Sequence, residues 1–388
     1  MTQPGVKLDK FSMRKSNREL VFSIIHRKGC VSRLQIARLT NMSLMSVGRI
    51  VDGLVKLGIV REEDSGEQTN TVGRKPKLLR VASNNFLSVG VEIDRDRICT
   101  GIINFKGQVL KKLEEKRNFG SSSPEHVLRC VAEMVMQILS ENKNLPVIRA
   151  VGVACPGLIE NDTIRFSSQM KWNNVAVAEI LRPLTGIDDI VVDNEVKAHG
   201  VAEDMFGLGK DYKSSVVLTM GSGIGSSAVI DHKLYRGRAN MAGEIGHICM
   251  NPSGGNMCEC GKRGCLQAYM ADWAILREAR TVREDATLDD VFQAYLEKEP
   301  WAINLIDQVL GYVSIALHLL GGTYSPDIII LCGRLLEEHR IYKEIILDRF
   351  CRGGGDDGPL VRVSRLGPNG TMIGAGTLAF YSILDKIL

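Results

Sequence analysis

The residues with the most evident chemistry lie between Gly243 and Cys265. Gly243-Glu244-Ile245-Gly246-His247 is followed by Cys258-x-Cys260-Gly261-x-x-Gly264-Cys265. One imidazole and three thiols in this order match a Cys₃His site, in which thiolates and a ring nitrogen close a tetrahedron around a structural zinc ion (Zn2+). The C-x-C pair lets a single chain reversal supply two ligands, and Gly261 and Gly264 permit positive φ beside them. The alternative is four unrelated core residues, because free cysteine is often buried. Clustering of thiols and glycines in one short segment favours the metal, with His247, Cys258, Cys260 and Cys265 as ligands.

Something must position that cluster, and the chain is long enough for two or three domains. Hydrophobic residues make up 44% of its 388 positions and charged residues 24%, an ordinary soluble composition. No apolar run approaches the roughly 20 residues that span a bilayer. Met1 to Lys15 is polar and basic without the apolar stretch of a signal peptide. Ten cysteines, several at metal spacing, fit a reducing cytoplasm better than a disulfide scaffold. The expectation is a cytoplasmic protein with no membrane partner.

The net charge of +4 is unevenly spread: Met1 to Arg80 carries 16 Lys and Arg against 7 Asp and Glu. A basic first fifth on a mildly acidic body points to a separate module that binds a polyanion. Leu20, Val21, Ile24 and Ile25 fall at helical spacing in Arg18–Lys28, closed by Gly29. Ser32 reads as the N-cap of a short second helix turning Leu34, Ala37 and Leu39 inward. After Thr40-Asn41-Met42, Ser43 caps a third helix with the stripe Val47, Ile50/Val51, Leu54 and Leu57. That order is a helix-turn-helix. Ile59-Val60-Arg61 and Leu78-Leu79-Arg80-Val81 read as paired strands around an excursion ending in Gly73-Arg74-Lys75-Pro76, which makes the module winged. Ser32, Arg33, Ser43, Ser46, Arg49, Arg74 and Lys75 are the expected DNA contacts. An Arg on the third helix suits guanine or phosphate, and a cationic wing tip suits a narrow minor groove. A three-helix module that binds another protein is the competing reading. Ser83-Asn84-Asn85 is the expected link, giving a DNA-binding domain over residues 1–82.

The remainder repeats one plan. Phe86–Val109 reads strand, acidic loop, strand, turn, strand, and Ser214–Tyr235 reads strand, glycine-rich loop, strand, turn, strand. Helices and β-branched strands alternate around both. Two similar α/β lobes are expected, over residues 83–195 and 196–388, with the C-terminal helix free to return to the first. A cleft between them is a natural place for a small ligand.

The order Gly-Glu-x-Gly-His … Cys-x-Cys-Gly-x-x-Gly-Cys resembles the signature of the ROK family, which contains sugar kinases and sugar-responsive transcriptional repressors. The resemblance extends over Val81–Leu388 and implies a two-lobed actin-like, ribonuclease H-like fold. Val47-Gly48-Arg49-Ile50-Val51-Asp52 is similar to the recognition helix of the family's repressors, a domain its sugar kinases usually lack. Matching position by position, the resemblance implies that Asn194, Glu244 and His247 hold a sugar. It places Gln169 where Asn is usual, Glu195 where the kinases carry an Asp base, and Gln267 where Glu usually follows the last metal ligand. Gln267 as a mere stabiliser of the metal loop, and Glu195 as a carboxylate on a helix dipole, stay open as alternatives. The kinases' first phosphate loop resembles Gly-x-Asp-x-Gly-Gly-Thr; here it is Gly90-Val91-Glu92-Ile93-Asp94-Arg95-Asp96. Carboxylates repel a triphosphate and side chains block backbone approach. Gly221-Ser222-Gly223-Ile224-Gly225 keeps the second phosphate loop.

Together these features lead to a DNA-binding repressor, homodimeric or homotetrameric, with a sugar or sugar derivative as effector, double-stranded operator DNA as partner and a body that is no longer an enzyme. An ATP-dependent sugar kinase that also binds DNA is the alternative. A body that answers to a partner protein is a third.

Overall fold

The computed structural model describes residues 10–64, 77–82, 84–146, 148–352 and 358–387. The first unit holds α1 (Lys10–Lys28), a two-residue strand β1 (Val31–Ser32), α2 (Arg33–Thr40), α3 (Leu44–Lys56), β2 (Val60–Asp64) and β3 (Lys77–Val81). β3 pairs antiparallel with both β1 and β2. Ser32 caps α2 through a reciprocal capping box with Gln35, and the Ser43 hydroxyl accepts the Ser46 amide at 3.2 Å to start α3. Val47, Val51 and Leu54 are buried as the spacing predicts, against Val21, Phe22, Ile25 and Ile36.

Two parts of the sequence reading fail here. Leu34 and Leu39 are 45% and 57% exposed. Five residues apart, they lie about 140° apart around the axis and cannot share a face; Ile36 and Ala37 take the inner stripe of this two-turn helix. Leu57 is exposed as well, since α3 ends at Lys56 and Leu57 is its C-cap. The wing tip with Arg74 and Lys75 lies outside the described residues.

The first lobe runs through β4 (Leu87–Ile93), β5 (Arg97–Asn104), β6 (Val109–Lys116), α4 (Pro124–Ser140) and β7 (Ile148–Cys155). It continues with a three-stranded meander, β8 (Leu158–Glu160), β9 (Thr163–Ser167) and β10 (Trp172–Ala176), then α5 (Val177–Thr185) and β11 (Asp189–Asn194). After α6 (Glu195–Met205) comes the second lobe with β12 (Ser214–Met220), β13 (Ile224–Ile230), β14 (Lys233–Tyr235), α7 (Gln267–Met270), α8 (Asp272–Ala279), α9 (Leu288–Leu296) and α10 (Pro300–Tyr324). β15 (Ile328–Cys332), α11 (Arg334–Glu338), α12 (Arg340–Phe350), β16 (Leu360–Val363) and α13 (Gly370–Ile387) complete the chain. The two five-stranded sheets, ordered β6-β5-β4-β7-β11 and β14-β13-β12-β15-β16, are built alike. Each is an antiparallel meander followed by two parallel strands. This is the repeated α/β plan of the actin-like fold. Every residue of β4 and β5 is buried, as strands covered on both faces require.

α13 leaves the second lobe and packs on the first sheet, where a Cβ on Gly152 would lie 1.8 Å from Ala375 O. A Cβ on Gly374 would sit 1.8 Å from Ala198 O, so bare glycine lets α13 lie directly on α6. α6 also touches β12 and β13 and is therefore clamped between the lobes. The sequence reading that no segment is apolar enough to span a bilayer needs one correction. α10 has 25 residues, and an 18-residue window within it has a mean hydropathy of 1.5. Ile306, Val309, Leu310, Val313, Leu317 and Leu320 nevertheless pack into the core on the second sheet, so one face of α10 belongs to the core.

Candidate functional site

The metal loop assembles from distant backbone. His247 ends a short 3-10 turn after β14, while Cys258, Cys260 and Cys265 sit on a loop in which Gly261 and Gly264 adopt φ of 84° and 79°. The four ligand atoms lie within 4.8 Å of one another. Cys258 Sγ is 3.8 Å from His247 Nδ1, and Cys260 Sγ is 3.7 Å from Cys265 Sγ. Ligands bonded at about 2.0–2.3 Å to one tetrahedral ion span edges of about 3.6–3.8 Å, so the cluster has the dimensions to hold a metal ion. Burial pushes the Cys265 thiol up to about 12, with Cys260 and Cys258 adding to it, and burial raises Cys258 as well. Thiolates packed this closely repel one another unless a cation sits among them. Burial lowers His247, keeping the neutral imidazole a metal ligand needs. Gln267, at the first position of α7, donates from Nε2 to Cys258 Sγ at 3.3 Å. Its amide is thus partly spent on the metal loop.

The cleft lies at the carboxyl ends of the parallel strands, where open α/β sheets gather ligands. Gln169, Asn194, Glu195, Glu244, His247 and Gln267 all line one small chamber of about 50 Å³. The fold therefore brings together every residue proposed for the sugar. Asn194 is heavily committed: its Oδ1 accepts Val196 and Lys197 amides to cap α6, and its Nδ2 donates to Gly157 O at 3.1 Å and to Glu195 Oε2 at 2.8 Å. It holds Glu195 in place more than it offers a free edge. Glu195 meets solvent through the cleft but is walled in by both lobes. Burial raises it well above the usual carboxylate range, and Glu244 and Asp94 reinforce that. Burial raises Glu244 too, opposed by Lys197, a buried lysine that sequence reading passed over.

A second chamber of about 60 Å³ shares Gln169, Glu195 and Gly223 and extends along the altered phosphate loop. Here the carboxylates are occupied. Arg334, the first residue of α11, donates from Nη1 to Asp96 Oδ2 at 2.9 Å and Asp94 Oδ2 at 3.4 Å. Arg95 Nη2 meets Glu259 Oε1 of the metal loop at 2.6 Å. Ser222, on the glycine turn of the second lobe, donates to Gln169 Oε1 at 3.2 Å and Asp94 Oδ1 at 3.4 Å. Asp94, Arg95 and Asp96 thus join the lobes by ion pairs. Their types differ from the glycines and hydroxyl expected of a phosphate loop; their partner Arg334, 238 positions beyond Asp96, carried no local signal.

On the first unit, Ser43, Ser46 and Arg49 are exposed on α3. Two expected DNA contacts have partners within the unit. Ser32 is buried and spent on the capping box, and Arg33 bridges Asp52 and Glu62, each at 2.7 Å. A cation between two carboxylates has little charge left to offer a phosphate.

The unit is also anchored to the body, which the linker composition did not indicate. Phe22 packs on Phe105, which stacks on Phe380 of α13 at 4.3 Å between ring centroids. His26 Nε2 donates to Phe105 O at 2.6 Å. Arg27 forks onto Asp204 at 2.6 and 3.2 Å, and Asp204 is also 2.9 Å from His232 Nδ1 on the β13–β14 turn. Asp204 is the penultimate residue of α6, whose first residue is Glu195. One helix therefore reaches from the cleft to the anchor.

With this geometry in place, known proteins can be set beside it. Residues 88–380 match the model of the ROK family. The xylose repressor of Bacillus subtilis (strain 168) is 24% identical over 385 residues, covering 98% of both chains. The DNA-binding transcriptional dual regulator NagC of Escherichia coli (strain K12) is 24% identical over 342 residues, 85% of this chain and 83% of that one. Among solved structures, a ROK family transcriptional regulator, homolog of the E. coli MLC protein, superposes with a TM-score of 0.76 at 21% identity over 97% of this chain and 98% of its own. A ROK family glucokinase from Streptomyces griseus, solved with glucose and AMPPNP, gives 0.66 at 22% identity over 76% of this chain and 99% of its own. The fold of the body is common to both, and the regulator matches the N-terminal unit as well.

Proposed function

Since the chain belongs to the ROK family, we propose that it is a sugar-responsive transcriptional repressor whose kinase-like body binds its effector without phosphorylating it. The observation that carries this reading is α6, which is capped at the cleft by Asn194, begins with Glu195 and carries Asp204 near its end beneath a helix-turn-helix unit. A ligand that alters lobe closure would move the end of α6 against α1. In a homodimer or homotetramer it would change the spacing of two reading heads on an operator. Relatives named as repressors along nearly the whole chain support the same assignment.

Two features of the cleft support inactivity. Asp94 and Asp96, paired with Arg334, stand in the loop where the family's kinases offer bare glycine amides and a hydroxyl to phosphate. Glu195 is committed to Asn194, whose Nδ2 donates to its Oε2 at 2.8 Å, and is one methylene longer than the Asp base the kinases carry there, which moves the carboxylate from a near-attack position. Zinc is the ion we assign to His247, Cys258, Cys260 and Cys265, because soft thiolates with one imidazole favour it. When bound it supplies a structural crosslink, fixing the loop that carries Glu259 and the turn that carries Glu244. The reading implies a cytoplasmic protein acting on double-stranded DNA.

The test is a titration of the full chain with monosaccharides and their derivatives, with and without ATP, followed by release from a duplex recovered from a randomised library. Glu244→Ala should weaken effector binding about tenfold, since an unpaired buried sugar hydroxyl costs ~1–3 kcal/mol, and leave DNA affinity intact. Turnover of any sugar at roughly 1–100 per second would replace this reading with the DNA-binding kinase. Binding of no sugar at all would favour a protein effector.

A further inference from the structure

α3 presents two large apolar side chains to solvent at the end that would enter a groove. Leu44 and Met45 are its first two residues, 54% and 70% exposed. Neither belongs to the core that buries Val47, Val51 and Leu54. Met45 and Arg49 lie one turn apart, opposite that buried stripe, with Arg49 Nη2 3.7 Å from Met45 Sδ. Gly48 lies on the same face and adds no side chain.

Charge decides what this apolar face meets. Asp52, the acidic residue of α3 itself, and Glu62 of β2 are both bound by Arg33. Arg49 pairs with no carboxylate among the described residues and remains a free cation beside Met45. The segment up to Arg80 carries 16 Lys and Arg against 7 Asp and Glu. An apolar pair flanked by an uncompensated arginine on a basic module fits the major groove better than a protein surface. The only apolar group a base pair offers there is the thymine 5-methyl, and the best partner for an Arg is guanine O6 and N7. N-terminal residues of a recognition helix are the ones that reach base edges.

We propose that Leu44 and Met45 read thymine methyl groups, so that each operator half-site contains thymines whose methyls are needed for affinity, adjacent to the base or phosphate held by Arg49. This rests on the DNA-binding reading above and extends it to sequence preference. Unbranched and polarizable, Met45 can follow a methyl on either strand, whereas Leu44, on the first turn, has the more fixed position.

The experiment uses the full chain and the tightest duplex it enriches from a randomised library. Thymines in the half-site are replaced singly by deoxyuridine, which keeps base pairing and removes only the methyl. One lost methyl contact should weaken binding about fourfold, the equivalent of one buried methylene. Leu44→Ala with Met45→Ala should weaken the parent duplex and become indifferent to deoxyuridine at the same positions. Restoring a methyl by 5-methylcytosine at a thymine-to-cytosine change should recover affinity for the unaltered protein alone. Equal binding of thymine and deoxyuridine duplexes by the unaltered protein would overturn the proposal, as would undiminished discrimination in the double variant. Enrichment of no duplex over random sequence would instead remove the DNA-binding reading, and this proposal with it.

Discussion

Replacing Arg27 by methionine tests whether the DNA-reading unit is controlled through its anchor. Arg27 and Asp204 have side-chain exposures of 14% and 7%, so the pair is largely dry. Removing one partner of a buried ion pair costs about 3–5 kcal/mol, because the other charge is stranded. Asp204 keeps His232 at 2.9 Å, and the pair is not fully closed off, so about 2–3 kcal/mol is the appropriate share. That shifts the ratio of docked to undocked unit by about 30- to 150-fold. Hydrogen exchange of the full chain should then show faster exchange along the face of α1 around Phe22 and His26, while α10 stays protected. Effector-driven release of operator DNA should weaken in parallel, because α6 no longer grips α1. Adding Asp204→Asn to Arg27→Met should restore part of the docking, since it removes the stranded charge, and the two changes should be less than additive. Unchanged exchange in α1 together with an unchanged effector response would refute a control path through this anchor.

Metal analysis of the purified protein should give about one zinc per chain. Cys260→Ser should lower that content and abolish the effector response, and full zinc retention in separate mutants of all four ligands would sink the site. Arg334→Gln leaves Asp94 and Asp96 facing each other without a cation. Both carboxylates are part-exposed, so we expect a loss of about 1–2 kcal/mol in lobe closure, read by calorimetry as roughly 5- to 30-fold weaker effector binding with less salt dependence; identical isotherms would contradict the clasp. His26 is held below its ordinary value near 6.5 by burial, which outweighs its hydrogen bond to Phe105 O, while Arg27 lowers it further and Asp204 raises it. The undocked state therefore binds the proton more readily. Docking is complete above about pH 6.5 and weakens as pH falls below that value toward the depressed one. His26→Gln should flatten the pH dependence of α1 exchange, and an unaltered profile would rule His26 out.

Where chemistry depends on short-range pattern, the sequence was sufficient. Cys-x-Cys-Gly-x-x-Gly-Cys after Gly-Glu-x-Gly-His specified a cluster with the dimensions to hold a metal ion, and Gly261 and Gly264 take positive φ beside its ligands. Ser32 and Ser43 announced the starts of α2 and α3 because an N-cap is a contact within four residues. The matched strand plan of the two lobes was visible for a similar reason, since hairpins are local and their turns carry characteristic residues. Leu34 and Leu39 misled because a helix of two turns leaves too few positions to fix which face is buried. Partners distant along the chain could only be found once it folded. Nothing beside Asp94 or Asp96 names Arg334, and nothing beside Arg27 names Asp204. The departure from the phosphate-loop pattern was therefore legible in residue type, whereas the use of those residues as a bond between lobes depended on where α11 begins. The sequence determined that a reading head and a ligand cleft exist. Their connection through α6 was decided by tertiary packing, because side chains from opposite ends of the chain meet at Asp204 and Gly374 only when both sheets have closed around that helix.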